Sequence, residues 1–267
     1  EKIQEIRDQV KTGVDLIKLA GSGHSSDEYA AFRLEEIKLA TDESHRLNRP
    51  ITIHARSRQS VRYAAEAGMD WIMHASFMDQ PTLDIVLEKQ IPICPAMTLL
   101  VNILEADDIG ISDLPKGVRR HAEEERDAAI AILSKFYQSG GTLICGSETG
   151  FAMTPYGEWH TREMELFVKH LGLSPIEALL CMTRNSAFTL PNLREEIGTL
   201  TSGKYADLLV VDGAPHKNIE VLHDPSNIKV IMQSGKTITP WRPIDQKRTR
   251  LGFEKVKLYT RRTLKRT

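Results

Sequence analysis

The chain has 267 residues, 41% of them hydrophobic and 27% charged, with a formal net charge of -1 at pH 7. That is enough apolar material for one large α/β domain or a domain with an appendage, and the near-zero charge gives no reason to expect nucleic acid or a membrane as partner. Three cysteines in apolar contexts without paired spacing, Cys94, Cys145 and Cys181, argue against a disulfide framework and for reduced core thiols in a cytoplasmic protein.

No apolar run approaches ~18 residues, and the start, Glu1-Lys2-Ile3-Gln4-Glu5-Ile6, reads as an amphipathic helix from mid-domain rather than a signal peptide. A charged helix over Ile3–Val10 ends at Gly13, and Val14–Leu19 is a strand with Lys18 at its end. A polar loop, Gly21 to Ser26, contains His24. Helical apolar spacing then runs from Tyr29 to Leu47 until Asn48 and Pro50 stop it.

The next stretch organises the chain. Two short apolar runs, Ile51-Thr52-Ile53 and Trp71-Ile72-Met73, deliver His54 and His74 as they end, and between them Ser57–Ala67 reads as a helix closed by Gly68. Buried parallel strands look like brief continuous apolar runs, and polar residues at their carboxyl ends face the site in barrels and open α/β sheets. Taken singly, each histidine reads as an ordinary hydrogen-bonded side chain. Two imidazoles in matched positions suggest a metal.

Asp79 predicts an N-cap for a helix through Lys89, and Ile91–Pro95 is a proline-marked strand. Ala96–Leu114 breaks the rhythm and reads either as an active-site loop or lid or as a surface excursion. Pro115–Tyr137 is helical. Gly140-Gly141 turns into a buried strand over Thr142–Gly146, which ends at Glu148, the fourth polar residue at a strand end. A helix over His160–Leu171 precedes Ser174-Pro175-Ile176-Glu177, a capping box with proline at the first helical position, opening a helix to about Asn185. Ala206–Asp212 and Ile228–Gln233, with a turn at Gly235-Lys236, predict a small separate sheet. Beyond Pro240 the sequence is strongly basic and reads as a solvated tail rather than an anion site.

The order Lys18, His54, His74, Glu148 on successive strands, followed by Gly198-Thr199-Leu200-Thr201-Ser202-Gly203-Lys204-Tyr205-Ala206-Asp207-Leu208, resembles the amidohydrolase superfamily, in particular its imidazolonepropionase and Xaa-Pro dipeptidase (prolidase) group. The resemblance covers about Ile3 to Ile238. It implies an α/β fold, a TIM-type (β/α)8 barrel of which strands 4–8 are present here, plus the C-terminal part of a small β-sandwich. Residues 1–190 would be the partial barrel and hydrolase domain, 191–240 the sandwich segment and 241–267 the basic tail.

By the same resemblance, Lys18 would be the lysine that becomes carboxylated and bridges two metals, and His54 and His74 would be ligands of the second one. Glu148 would stand where the family has an aspartate that binds metal and shuttles the proton, a departure by one methylene. Glu158 and His160 match a segment that lines the pocket, and His24 is a further candidate for substrate binding. For His160 a structural role at a helix start is an equal alternative. The cofactor would be a divalent metal, zinc first, with one or two ions, manganese or cobalt being alternatives.

The family's His-x-His on a first barrel strand is missing, and five strands cannot close a barrel. The missing N-terminal part of the barrel is expected from the same protein or from another chain. The resemblance thus implies metal-dependent hydrolysis of an amide-like C–N bond in a dipeptide, urea, carbamate or cyclic amide, on a small-molecule substrate and in a homo-oligomer. The alternative is a truncated, non-catalytic scaffold that binds a partner.

Overall fold

The computed structural model describes residues 2–23, 29–106, 114, 116–150, 153–154 and 159–238. His24, Glu158 and the basic tail lie outside them. The chain divides into two compact units: residues 1–95, 120–144 and 189–191 form the first, and 96–119, 145–188 and 192–267 the second.

The first unit opens with helix α1 (Lys2–Lys11) and then alternates strand and helix: β1 (Ile17–Ala20), α2 (Leu34–Arg46), β2 (Ile51–Ala55), α3 (Arg58–Ala67), β3 (Trp71–His74), α4 (Gln80–Glu88) and β4 (Ile93–Cys94). The four strands form one sheet in the order β1-β2-β3-β4, every described pair parallel. A parallel bridge from Ile93 to Leu143 adds the chain after α6 (Lys116–Gln138) beside β4. Ile93 N–H donates to Thr142 O at 3.0 Å and Ile144 N–H to Ile93 O at 2.9 Å. Four of the five expected strands thus form the sheet, and the fifth segment joins it through the bridge at Leu143. The last one is shorter than the expected Thr142–Gly146, and Cys145 is half-buried rather than core.

Local chemistry sets the boundaries. Ser57 caps α3 by accepting from Ser60 N–H at 3.2 Å, and Gly68 ends it in the left-handed region at φ 75°. Asp79 caps α4 by accepting from Thr82 N–H at 3.1 Å. Every residue of β2 is buried, and Ile51, Ile53, Ile72 and Ile93 are fully enclosed, as expected for central parallel strands. Gly141 must be glycine: a Cβ there would lie 2.3 Å from the Phe136 ring.

In the second unit, the stretch read as a loop or surface excursion contains helix α5 (Thr98–Leu104). Its apolar run Leu99-Leu100-Val101 is ordered by an anchor distant in sequence, described below. Helix α7 spans Arg162–His170, and α8 covers only Pro175–Leu180. The Ser174 capping box is present, but the helix expected to reach Asn185 passes into a π turn at Cys181–Asn185 and a 3₁₀ turn at Ser186–Thr189. There Ser186 Oγ donates to Cys181 O at 2.7 Å and accepts from Cys145 N–H at 3.1 Å, diverting the backbone. Strands β5 (Leu208–Val211), β6 (Ile228–Gln233) and β7 (Lys236–Thr237) form a separate antiparallel sheet, its hairpin turning at Ser234 (φ 49°) and Gly235 (φ 77°). Among the described residues no helix is long and apolar enough to cross a membrane.

Candidate metal centre

In the first unit, Ala20 stands beside His54, and Lys18 stands beside Thr52, two residues before it. Side chains alternate along a strand, so Lys18 and His54 share a face of the sheet. His74 is registered with Ala55 and would point to the opposite face if it were extended. Its φ is 71°, and Ala75 N–H donates back to Met73 O at 3.1 Å, which makes His74 the centre of a rare positive-φ γ-turn. This kink brings the two imidazoles edge to face, with centroids 4.5 Å apart. Strain in a non-glycine residue at a strand end is a mark of functional geometry.

The spacing of the pair suits a shared cation. His74 Nδ1 lies 3.2 Å from Pro95 O, His54 Nε2 lies 3.0 Å from Gly23 O, and the inner nitrogens, His54 Nδ1 and His74 Nε2, are 3.0 Å apart. The Pro95 carbonyl only accepts, so His74 Nδ1 donates its N–H there, while His54 Nε2 faces the Gly23 carbonyl and also receives the Arg56 Nε–H at 3.4 Å. The inner nitrogens, His54 Nδ1 and His74 Nε2, are spaced so that both could ligate one metal ion. Nitrogens each 2.0–2.1 Å from a tetrahedral zinc would be about 3.3 Å apart, close to the observed spacing. The backbone carbonyls then act as the outer partners that fix each ring's tautomer and orientation. Both rings are buried, at 4% and 1% exposure, and the donor set fits a divalent ion of the zinc type.

A second layer holds these turns. Arg56 and Ser76, each two residues beyond its histidine, both donate to Glu125 Oε1 of α6, Ser76 at 2.7 Å. Arg56 N–H donates to Ser22 Oγ at 2.9 Å, and Phe77 N–H to Arg56 O at 3.0 Å. Sequence reasoning missed this cluster. Its signal was the repeat His54-Ala55-Arg56 and His74-Ala75-Ser76, but nothing local marks Glu125 as its partner.

Lys18 is exposed on β1, where Ile17 is buried and Leu16 and Leu19 are half-buried. Its own strand therefore gives the amine only a partial apolar surround. In the second unit, Glu148 is half-buried and has φ 50°. His160 is exposed ahead of α7, while Trp159 beside it is buried. His24 and Glu158 fall outside the described residues.

Also in the second unit, Glu163 is fully buried, and its carboxylate accepts from Met97 N–H at 2.8 Å, Thr98 N–H at 2.9 Å and Thr98 Oγ at 2.6 Å. Burial pushes this carboxyl up to about 7 against the pull of those hydrogen bonds. It is the anchor that orders α5 from 66 residues away.

The chain matches the profile described as "Amidohydrolase family" over residues 1–238. Ochratoxinase of Aspergillus niger is 25% identical over 250 residues, covering 88% of this chain and 50% of that protein. The chain thus spans about half the length of that relative. Imidazolonepropionase of Rubrobacter xylanophilus is 34% identical over 77 residues, 29% of this chain and 18% of that protein. Among solved structures, a prolidase candidate of Bifidobacterium longum superposes with a TM-score of 0.80 at 26% identity, covering 91% of this chain and 59% of that one. A Xaa-Pro dipeptidase with methionine bound in its active site gives 0.77 at 24% identity, over 89% and 57%, a likeness of fold.

Proposed function

Because the chain belongs to the amidohydrolase family, we propose that it forms part of a metal-dependent hydrolase acting on an amide-like C–N bond of a dipeptide, urea, carbamate or cyclic amide. The observation that carries this reading is the His54–His74 pair, whose outer nitrogens face carbonyls and whose inner nitrogens face each other at 3.0 Å. A divalent ion between them would polarise the substrate carbonyl and make water a nucleophile near neutral pH.

The remaining roles belong to this chain's own side chains. Lys18, on the same sheet face as His54, would take up CO2 as a carbamate and offer two oxygens to two ions. Glu148 would accept the proton of the attacking water on its carboxylate and pass it to the leaving nitrogen. His24, Glu158 and His160 would line the substrate pocket. Residues 1–190 would be the barrel's share of the chain and 191–240 that of a small sandwich, with the remaining strands supplied by residues outside this stretch. The match to the amidohydrolase family and the likeness to a prolidase candidate support the bond type and leave the substrate to experiment.

The test is turnover. Purified protein, freed of metal by chelation and reloaded with Zn²⁺, Mn²⁺ or Co²⁺, is assayed on a panel of Xaa-Pro dipeptides, N-acyl amino acids, arylureas and carbamates. The proposal expects metal-restored hydrolysis of at least one class. Full metal occupancy with no hydrolysis in any class would point to the non-catalytic scaffold.

A further inference from the structure

Glu125, the helix α6 residue on which Arg56 and Ser76 converge, has no part in the roles assigned above, yet it is 1% exposed and engages the turns that follow both histidines. Burying a carboxylate is costly unless it is paired and hydrogen-bonded. Here one oxygen, Oε1, accepts from a guanidinium two residues beyond His54 and from a hydroxyl two residues beyond His74. The same guanidinium donates from Nε to His54 Nε2 at 3.4 Å. An uncompensated Arg56 would therefore set a fixed positive charge against a ring that is to hold a divalent cation.

We infer that Glu125 is a positioning residue for the metal centre: it staples the two strand-end turns that aim His54 and His74 at one point, and it cancels the Arg56 charge so that a cation can be held there. The inference rests on the metal reading above. Both functions act through the histidines, since Glu125 touches Arg56 and Ser76. The geometry also separates them. Because one oxygen takes both hydrogen bonds, Glu125→Gln keeps the staple and removes the charge, whereas Glu125→Ala removes both.

The experiment is a Co²⁺ titration of the purified protein, followed by the visible absorption of bound cobalt and by competition with a chelating dye. Outer partners of metal ligands typically contribute 10- to 100-fold in affinity. Glu125→Gln should therefore weaken Co²⁺ binding about 10-fold with the absorption band unchanged in shape. Glu125→Ala should weaken it about 100-fold and shift the band. Adding Arg56→Met to Glu125→Gln removes the unbalanced charge together with the Arg56 arm of the staple, so it should recover part of the lost affinity, which a merely structural role would not do. If Glu125→Ala fails to fold, Glu125→Gln and the double variant decide. Wild-type affinity in Glu125→Gln would overturn the inference. A wild-type protein that takes up no Co²⁺ would instead overturn the metal reading beneath it, so the two failures are distinct.

Discussion

Replacing Glu163 should loosen the start of α5. The carboxylate takes two backbone amides, Met97 and Thr98, and the Thr98 hydroxyl, all in a region closed to water. Glu163→Ala leaves them without that acceptor. The hydroxyl can turn elsewhere, so the two amides set the scale: at about 1–3 kcal/mol for each buried unsatisfied donor, the loss is about 2–6 kcal/mol. The same residue should give stability a pH dependence. Its carboxyl sits at about 7 in the fold against 4.5 when free, mainly through burial. Between those values the native state holds a proton that the unfolded chain has released. The stabilisation is thus fully present below pH 4.5 and is lost as pH rises to about 7, by about 3 kcal/mol. Glu163→Gln cannot titrate and should flatten this trend. The assay is denaturant unfolding at several pH values, with amide hydrogen exchange read at Met97 and Thr98. Wild-type midpoints and unchanged exchange in Glu163→Ala, or parallel pH curves for wild type and Glu163→Gln, would refute the reasoning.

Two further outcomes test the proposed roles. Lys18→Ala should lose bound metal and activity, with partial recovery in added short carboxylic acids; full metal content in that variant, measured by plasma emission, would reduce the lysine to a structural role. Glu148→Gln should keep the fold and slow turnover about 100- to 10,000-fold, the scale of general base catalysis. Glu148→Asp is the sharper comparison, because aspartate enters the left-handed region more readily than glutamate and so tolerates the φ of 50°. A loss of rate there reports the shortened reach, whereas a gain shows a site that merely tolerates glutamate; near wild-type turnover of Glu148→Gln with metal confirmed would remove the base.

The sequence was legible where local chemistry decides structure. The apolar runs ending at His54 and His74, the Gly68 cap of the helix between them, the Asp79 cap and the Ser174 capping box all act within a few residues, and all appear as expected. What stayed hidden depends on partners far along the chain. Helix α5 exists because Glu163 holds its first turn, and nothing near Ala96 announces that. The π turn after Leu180 likewise depends on Ser186 binding both Cys181 and Cys145. Alternation along β3 would send His74 to the wrong face, and only its γ-turn corrects this. The Arg56–Glu125 pair spans 69 residues and looks, in sequence, like two ordinary surface charges.

The central claim is that His54 and His74 share one metal ion, and metal content measures it most directly. Wild-type protein, His54→Asn and His74→Asn would be loaded with Zn²⁺, dialysed, and analysed by plasma emission beside circular dichroism to confirm folding. The account predicts at least about one tightly held ion per chain in the wild type, the complement of a zinc site, and its loss in each folded variant. A folded wild-type protein that retains no metal, or two variants that retain the full wild-type content, would contradict it.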